Sequence, residues 1–290
     1  MTTPTYKFGI IGGDMRQRFL AEGLHADGHR VSVCGLENSL AGAQFGAPIQ
    51  TVCAESDILI LPLPALTAEG CVAAPLSNRI IYIADVFEHA KRGGLILAGR
   101  VDRETRNSAT QHSLTLIDYF DREEMTVRNA LATAEGAVQI LMEETSACLA
   151  GAKILILGYG RIGKLLARSL DSLNARVTVS ARKESDRAWV ECFGYSAVSP
   201  EEAESRLGVF DIIVNTVPSR VMTDERLQHV RQDALILDLA SKPGGIDFQA
   251  AQELNLRIIW ALSLPGRVAP KTSGDIIRKT VYCILKEQRA

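Results

Sequence analysis

The stretch Ala152 to Lys183, AKILILGYGRIGKLLARSLDSLNARVTVSARK, decides the fold. Its apolar opening, Ala152 to Leu157, reads as a strand. Gly158-Tyr159-Gly160-Arg161-Ile162-Gly163 follows at once and opens a helical pattern through Leu165, Leu166 and Leu170 into a second strand, Ala175 to Ser180. Strand, glycine turn and helix in that order are what a dinucleotide site requires. Gly158 permits the tight turn, Gly160 lets the backbone approach a pyrophosphate, and Gly163 lets the helix lie close to the strand. The helix start then offers N–H groups and a partial positive charge to the phosphates.

The end of the second strand selects the cofactor. An NAD site usually places Asp or Glu there for the ribose hydroxyls, whereas this chain reads Ser180-Ala181-Arg182-Lys183, with no acid before Glu184. NADP is therefore expected. Arg182 can stack on the adenine and pair with the 2′-phosphate beside Lys183, and Ser180 can donate a hydrogen bond without repelling it. The alternative is that Arg182 and Lys183 are solvated loop charges.

At 290 residues, 47% hydrophobic and 23% charged, the chain has material for two cores. A formal net charge of −2 with interspersed Lys and Arg gives no surface for nucleic acid or membrane. The six cysteines are scattered without a CxxC pair or a Cys/His cluster, so no metal site is expected. The opening Met1-Thr-Thr-Pro-Thr has no basic segment leading into an apolar one, and the expectation is a soluble, cytoplasmic protein.

Ahead of the dinucleotide stretch lies a second α/β pattern. Tyr6 to Ile11 reads as a strand, Gly12-Gly13-Asp14-Met15-Arg16-Gln17 as a turn, and Arg30 to Cys34 as the next strand. Aligned on the glycine motif, Asp14 and Gln17 replace its second and third glycines, and Asp14 brings a carboxylate to where phosphate would sit. This domain is expected to lack a dinucleotide of its own. Arg16 and Gln17 are candidates to hold a substrate carboxylate, against a plain surface arginine. Asp57 to Leu63, Ile80 to Ala84, Leu95 to Ala98 and Leu114 to Tyr119 read as further strands, and Val86 to Arg92 as a helix. The fold class expected is α/β: two Rossmann-like doubly wound domains, mainly parallel, with a cleft between them.

Thr133 reads as the N-cap of a linking helix striped with Val138, Leu141 and Met142, and its start as an anion site. Gly136 in the first turn would admit a ligand, and Asn129, Thr133 and Glu135 become candidate substrate contacts. Asp211 to Val217, Ala234 to Leu239 and Leu256 to Ala261 read as the later strands of the dinucleotide domain. The loop Asn215-Thr216-Val217-Pro218 should border the nicotinamide, and the loops carrying Lys242 and Lys271-Thr272 leave strand ends on the same side. A final helix from Gly274 could cross back onto the first domain. The expected domains are 1–122 with about 272–290, a linker at 123–150, and 151–271.

Taken together, GGDMRQ, TAEG, GYGRIG, VSARK, NTVPS, LDLASKPGGIDF and LPGRVAPKTSG resemble, in order and over essentially the whole chain, the A subunits of dipicolinate synthase, a bacterial spore enzyme. Ala132 and Arg267 depart from the expected pattern. The resemblance implies an NADP-dependent oxidation of a dihydro- or hydroxytetrahydro-dipicolinate to pyridine-2,6-dicarboxylate. It also implies a flavoprotein-like B subunit as partner, in a homo- or hetero-oligomer. A small dicarboxylate needs cationic anchors, for which Arg16, the Thr133 helix start, Lys242 and Lys271 are the candidates, with Glu135 or Lys271 as proton acceptor and Thr272 beside it. Two alternatives stay open. One is an NADP dehydrogenase of the methylenetetrahydrofolate or shikimate type, although the Tyr-x-x-x-Lys pair of the former is missing after Tyr82 and Tyr119. The other is a non-catalytic nucleotide-binding scaffold protein.

Overall fold

Alternating apolar runs and amphipathic stripes give the chain two parallel sheets, each covered by helices. The computed structural model describes residues 5–36 and 47–288. The chain divides into two units, 1–129 with 269–290, and 130–268.

Unit 1 opens with β1 (Lys7–Ile11), α1 (Met15–Ala26), β2 (Arg30–Cys34), α2 (Ile49–Glu55) and β3 (Ile58–Ile60). It continues through α3 (Ile83–His89), β4 (Leu95–Ala98), α4 (Arg103–Gln111) and β5 (Thr115–Asp118). Its sheet has the order β2-β1-β3-β4-β5, all parallel, the flavodoxin-like arrangement. The division from unit 2 falls inside the long helix α5 (Glu123–Glu144).

Unit 2 follows with β6 (Lys153–Leu157), α6 (Arg161–Ser172), β7 (Arg176–Ser180), α7 (Glu184–Cys192), β8 (Ser196–Val198) and α8 (Pro200–Glu204). Then come β9 (Ile212–Asn215), α9 (Asp224–Leu227), β10 (Leu235–Asp238), α10 (Phe248–Glu253), β11 (Arg257–Trp260) and α11 (Leu264–Val268). The order β8-β7-β6-β9-β10-β11 is that of a dinucleotide-binding Rossmann sheet, with the crevice for its ligand at the carboxyl ends of β6 and β9.

The last helix, α12 (Pro270–Glu287), belongs to unit 1. It buries Ile276, Ile277, Val281, Ile284 and Leu285 in one cluster with Leu20, Ala21 and Leu24 of α1. The two helices run parallel, because Gly274 abuts Arg16 and Leu20 while Arg278 reaches Gly23 and Asp27. A Cβ on Gly274 would stand 2.6 Å from the Arg16 carbonyl oxygen, so only glycine permits this approach.

Several expected elements fall elsewhere. Ile80 to Ala84 is not a strand: Tyr82 makes an isolated antiparallel bridge to Cys71, and α3 begins at Ile83. Thr133 does not start a helix. It lies in the interior of α5, because Glu123 to Ala132 contains no glycine or proline and continues the helix backwards. Gly136 is mid-helix as well, and a Cβ there would press on Leu264 and Val268 at 3.0 to 3.2 Å, so its glycine serves the packing of α11 on α5. The Pro/Gly-rich run Leu264 to Gly274 is helical rather than a loop, since Pro270 occupies the first turn of α12, where its missing N–H costs nothing.

Candidate functional site

Gly158 has φ +97°, and a Cβ there would collide with Thr216 and Val217; one on Gly163 would lie 2.2 Å from the Gly158 carbonyl oxygen. Those two glycines are fixed by the chain's own packing. Gly160 is different: its φ of −80° suits any residue, and a Cβ there would meet nothing within 4 Å. A glycine required neither by conformation nor by internal packing fits a backbone approached from outside, as a pyrophosphate would approach it. Gly160 is also the N-cap of α6, with no side chain closing the helix start. Arg161 and Ile162 fill the first helical positions, and the earliest amide to bond back is Lys164 N, to the Gly160 carbonyl at 3.0 Å. This turn fits the diphosphate of a dinucleotide.

The turn opens into a cavity of about 750 Å³ walled by Tyr159, Ser180, Arg182, Lys183, Val217 and Ser219. Burial pushes the Tyr159 hydroxyl above its ordinary range, and Lys164 lies 5.3 Å from the ring centroid. At the carboxyl end of β7, Ser180 is buried while Arg182 and Lys183 are exposed, with no salt bridge among the described residues. The adjacent α8 start is closed by a capping box between Ser199 and Glu202, and Arg226 pairs with Glu204 at 2.8 Å. Asp186 and Glu201 also line the cavity, while the end of β7 itself, Ser180 to Lys183, brings two cations and no acid to it.

The loop after β9 works differently from the expectation. Asn215 is fully buried, and its amide donates to Asp238 Oδ1 at 2.8 Å and to the Val217 carbonyl at 3.1 Å. Asp238, also fully buried, accepts from the backbone N–H groups of Ala240 and Gly245. The Asn215 side chain thus ties the β9 and β10 loops together and has no donor left for a nicotinamide amide. Thr216 donates its hydroxyl to the Leu157 carbonyl at 2.9 Å, pinning the glycine turn from behind. Val217, Ser219, Val221 and Met222 line the cavity from this loop, and Pro218 is exposed.

The remaining sequence candidates separate by unit. Glu135 is exposed on α5, in a groove with Ser169, Ser172 and Leu173 at the C-terminal end of α6. Helix rise puts that end roughly 12 Å or more from the glycine turn at the other end of α6, so Glu135 does not face the cofactor turn. Lys242 is exposed in the loop after β10, and Asn129 and Thr133 lie within α5. In unit 1, Arg16 is buried and its guanidinium is already bound: it grips the Asp14 carboxylate at 2.8 to 3.1 Å and donates to the Leu63 carbonyl. Gln17 is fully buried over Gly13, and neither polar atom of its amide has a hydrogen-bond partner. Exposed Lys271 and Thr272 stand in the first turn of α12, one turn before Gly274 and so level with the start of α1. The structure therefore brings Arg16, Gln17, Lys271 and Thr272 to one end of unit 1. No group of His, Cys, Asp and Glu among the described residues could hold a metal, and no helix among them is long and apolar enough to cross a membrane.

Comparison with known proteins gives both halves a relative. Residues 7–120 match the N-terminal domain of dipicolinate synthase A subunits, and residues 111–243 match the NAD-binding domain of D-isomer specific 2-hydroxyacid dehydrogenases. The second match makes the open glycine turn part of a nicotinamide-dinucleotide domain of dehydrogenase type. Crystal structures of dipicolinate synthase A subunits superpose on this chain with a TM-score of 0.87 for the Bacillus subtilis protein (30% identity, 99% of this chain and 97% of that one). For the Bacillus halodurans protein the TM-score is 0.89 (27% identity, 97% of each). In sequence, the dipicolinate synthase A subunit of Bacillus subtilis strain 168 is 31% identical over 98% of this chain and 97% of its own length. The chain belongs to the family of dipicolinate synthase A subunits.

Proposed function

We propose that the chain is the NADP-dependent dehydrogenase component of a dipicolinate synthase, oxidising dihydrodipicolinate, or its hydroxytetrahydro precursor, to pyridine-2,6-dicarboxylate. The observation that carries the cofactor half is the acid-free end of β7 beside an uncapped α6, a pairing that tolerates a 2′-phosphate where a carboxylate would repel it. The substrate half is supported by the family. The bound nicotinamide supplies a hydride acceptor; this chain's residues bind, orient and neutralise.

Unit 1 supplies the recognition of a carboxylate in this reading. Lys271 offers the cation, Thr272 a hydroxyl, the α12 start its N–H groups, and Gln17 an amide without an internal partner. Arg16 acts behind them, its charge shared with Asp14. Lys271 is assigned to carboxylate binding rather than proton removal, because it is an exposed cation in the first turn of a helix, where its charge and the N–H groups beside it favour an anion. The lettered naming of the family's subunits implies a partner, which we take to be a flavoprotein-like B subunit. The test is the appearance of dipicolinate absorbance when the chain, with and without that partner, is mixed with NADP⁺ and an enzyme generating dihydrodipicolinate. Absence of product in both mixtures overturns the proposal.

A further inference from the structure

Two helix starts line the cavity beside the end of β7, and they are finished differently. The α8 start is satisfied internally by Ser199 and Glu202. That of α7, a nine-residue helix whose N-cap is Lys183, has no side-chain cap. Among the described residues, the backbone N–H groups of Arg182, Lys183, Glu184 and Ser185 make no bond to a carbonyl. Beside them Ser180, 5% exposed and on the cavity wall, has a hydroxyl with no hydrogen-bond partner among the described residues. Consecutive free N–H groups in a turn form an anion-binding concavity.

Arg187 shapes that concavity. One guanidinium nitrogen donates to two successive carbonyls, those of Ala181 at 2.9 Å and Arg182 at 3.1 Å, while the other pairs with the Glu184 carboxylate. A planar trans peptide points its N–H opposite to its C=O. Holding the 181 and 182 carbonyls toward Arg187 therefore turns the N–H groups of Arg182 and Lys183 the other way. We infer that Arg187 is the positioning residue for the 2′-phosphate: it acts through the loop it staples, and the phosphate is read by Ser180, Arg182, Lys183 and the α7 start. The inference rests on the NADP reading above.

Binding of NADPH, NADH and 2′,5′-ADP to the full chain, followed by tyrosine and tryptophan fluorescence or calorimetry, tests it without turnover. The wild type should prefer NADPH to NADH. Arg187→Leu should narrow that preference by about tenfold or more and weaken 2′,5′-ADP in parallel, with NADH affinity within about twofold of wild type. Arg187→Lys keeps the positive charge but cannot bridge two carbonyls and a carboxylate at once, so it should narrow the preference too. A lysine variant that restores the full preference would show that charge alone is at work and overturn the inference. So would an undiminished preference in Arg187→Leu, or equal weakening of NADPH and NADH. A wild type with no preference at all would instead bring down the NADP reading on which the inference stands.

Discussion

Two glycine turns in this molecule begin alike and finish in opposite ways. Gly12-Gly13-Asp14 after β1 and Gly158-Tyr159-Gly160 after β6 both lead a strand into a twelve-residue helix. In unit 1 the N-cap is Asp14, whose carboxylate accepts from the Arg16 N–H at 2.9 Å and holds its guanidinium. That helix start carries its own anion. In unit 2 the N-cap is Gly160, with no side chain to offer, and the start of α6 carries no anion of its own at the cap. The third motif position differs to match: Gly163 lies on the Gly158 carbonyl, whereas Gln17 packs over Gly13 with a fully buried amide. One substituent at the N-cap separates a self-satisfied turn from a ligand turn.

The contrast between the turns is destroyed most severely at Gly163. Gly163→Val places branched carbon where a single Cβ already lies 2.2 Å from a backbone oxygen, so the turn must open. A loss of about 3 kcal/mol or more in unfolding free energy, with NADPH binding abolished, is expected from overpacking of this kind. Denaturant melts with a fluorescence binding assay check it. Next in size is Asp14→Ala, which removes a cap and leaves a buried guanidinium without its partner. Unit 1 should lose about 2–4 kcal/mol by the same melts, while NADPH affinity stays unchanged.

Gly160→Asp gives unit 2 the finish of unit 1. Because a Cβ at Gly160 meets nothing, the fold should persist with its melting temperature within a few degrees. Its carboxylate should compete with the pyrophosphate for the α6 start and weaken NADPH by about 2 kcal/mol, or roughly 30-fold, in titrations. The smallest effect belongs to His29, which unit 1 buries against Phe8 and Tyr282, and whose Nδ1 accepts from the Tyr6 N–H. Burial holds its pKa below the ordinary value of 6.5. Between the two values the unfolded chain binds the extra proton, so this contribution is complete above pH 6.5 and is lost as pH falls through that window. Melting temperatures of wild type and His29→Phe against pH should diverge only there, the wild type falling more steeply.

Much of this was legible from short signals. β2 matches its predicted range residue for residue, and β1, β6 and β7 start one residue later than the sequence suggests, because apolar runs bounded by turn residues locate parallel strands well. The glycine turn and the end of β7 could be located for the same reason: each is fixed by its immediate neighbours in the chain. Thr133 could not. A threonine before an apolar stripe looks like a cap whether or not a helix already precedes it, and only packing on α11 explains Gly136. Asn215 was misleading because its position at the strand end is right while its amide is consumed by Asp238, 23 residues away. Arg187 escaped notice since nothing in a sequence marks which carbonyls a guanidinium will staple, although its place seven residues past the end of β7 on a helix start was a usable hint.

The seating of α12 on α1 has a consequence for how the chain is made. Unit 2 is one uninterrupted run, so its sheet can assemble as soon as it leaves the ribosome. Unit 1 is split around it: Leu20 and Leu24 lack their full cover until α12 has emerged, after the whole of the 130–268 segment. Vectorial synthesis therefore completes the nucleotide half first and leaves the earlier-made half waiting, with an apolar flank of α1 uncovered for the time the ribosome needs to translate all of unit 2.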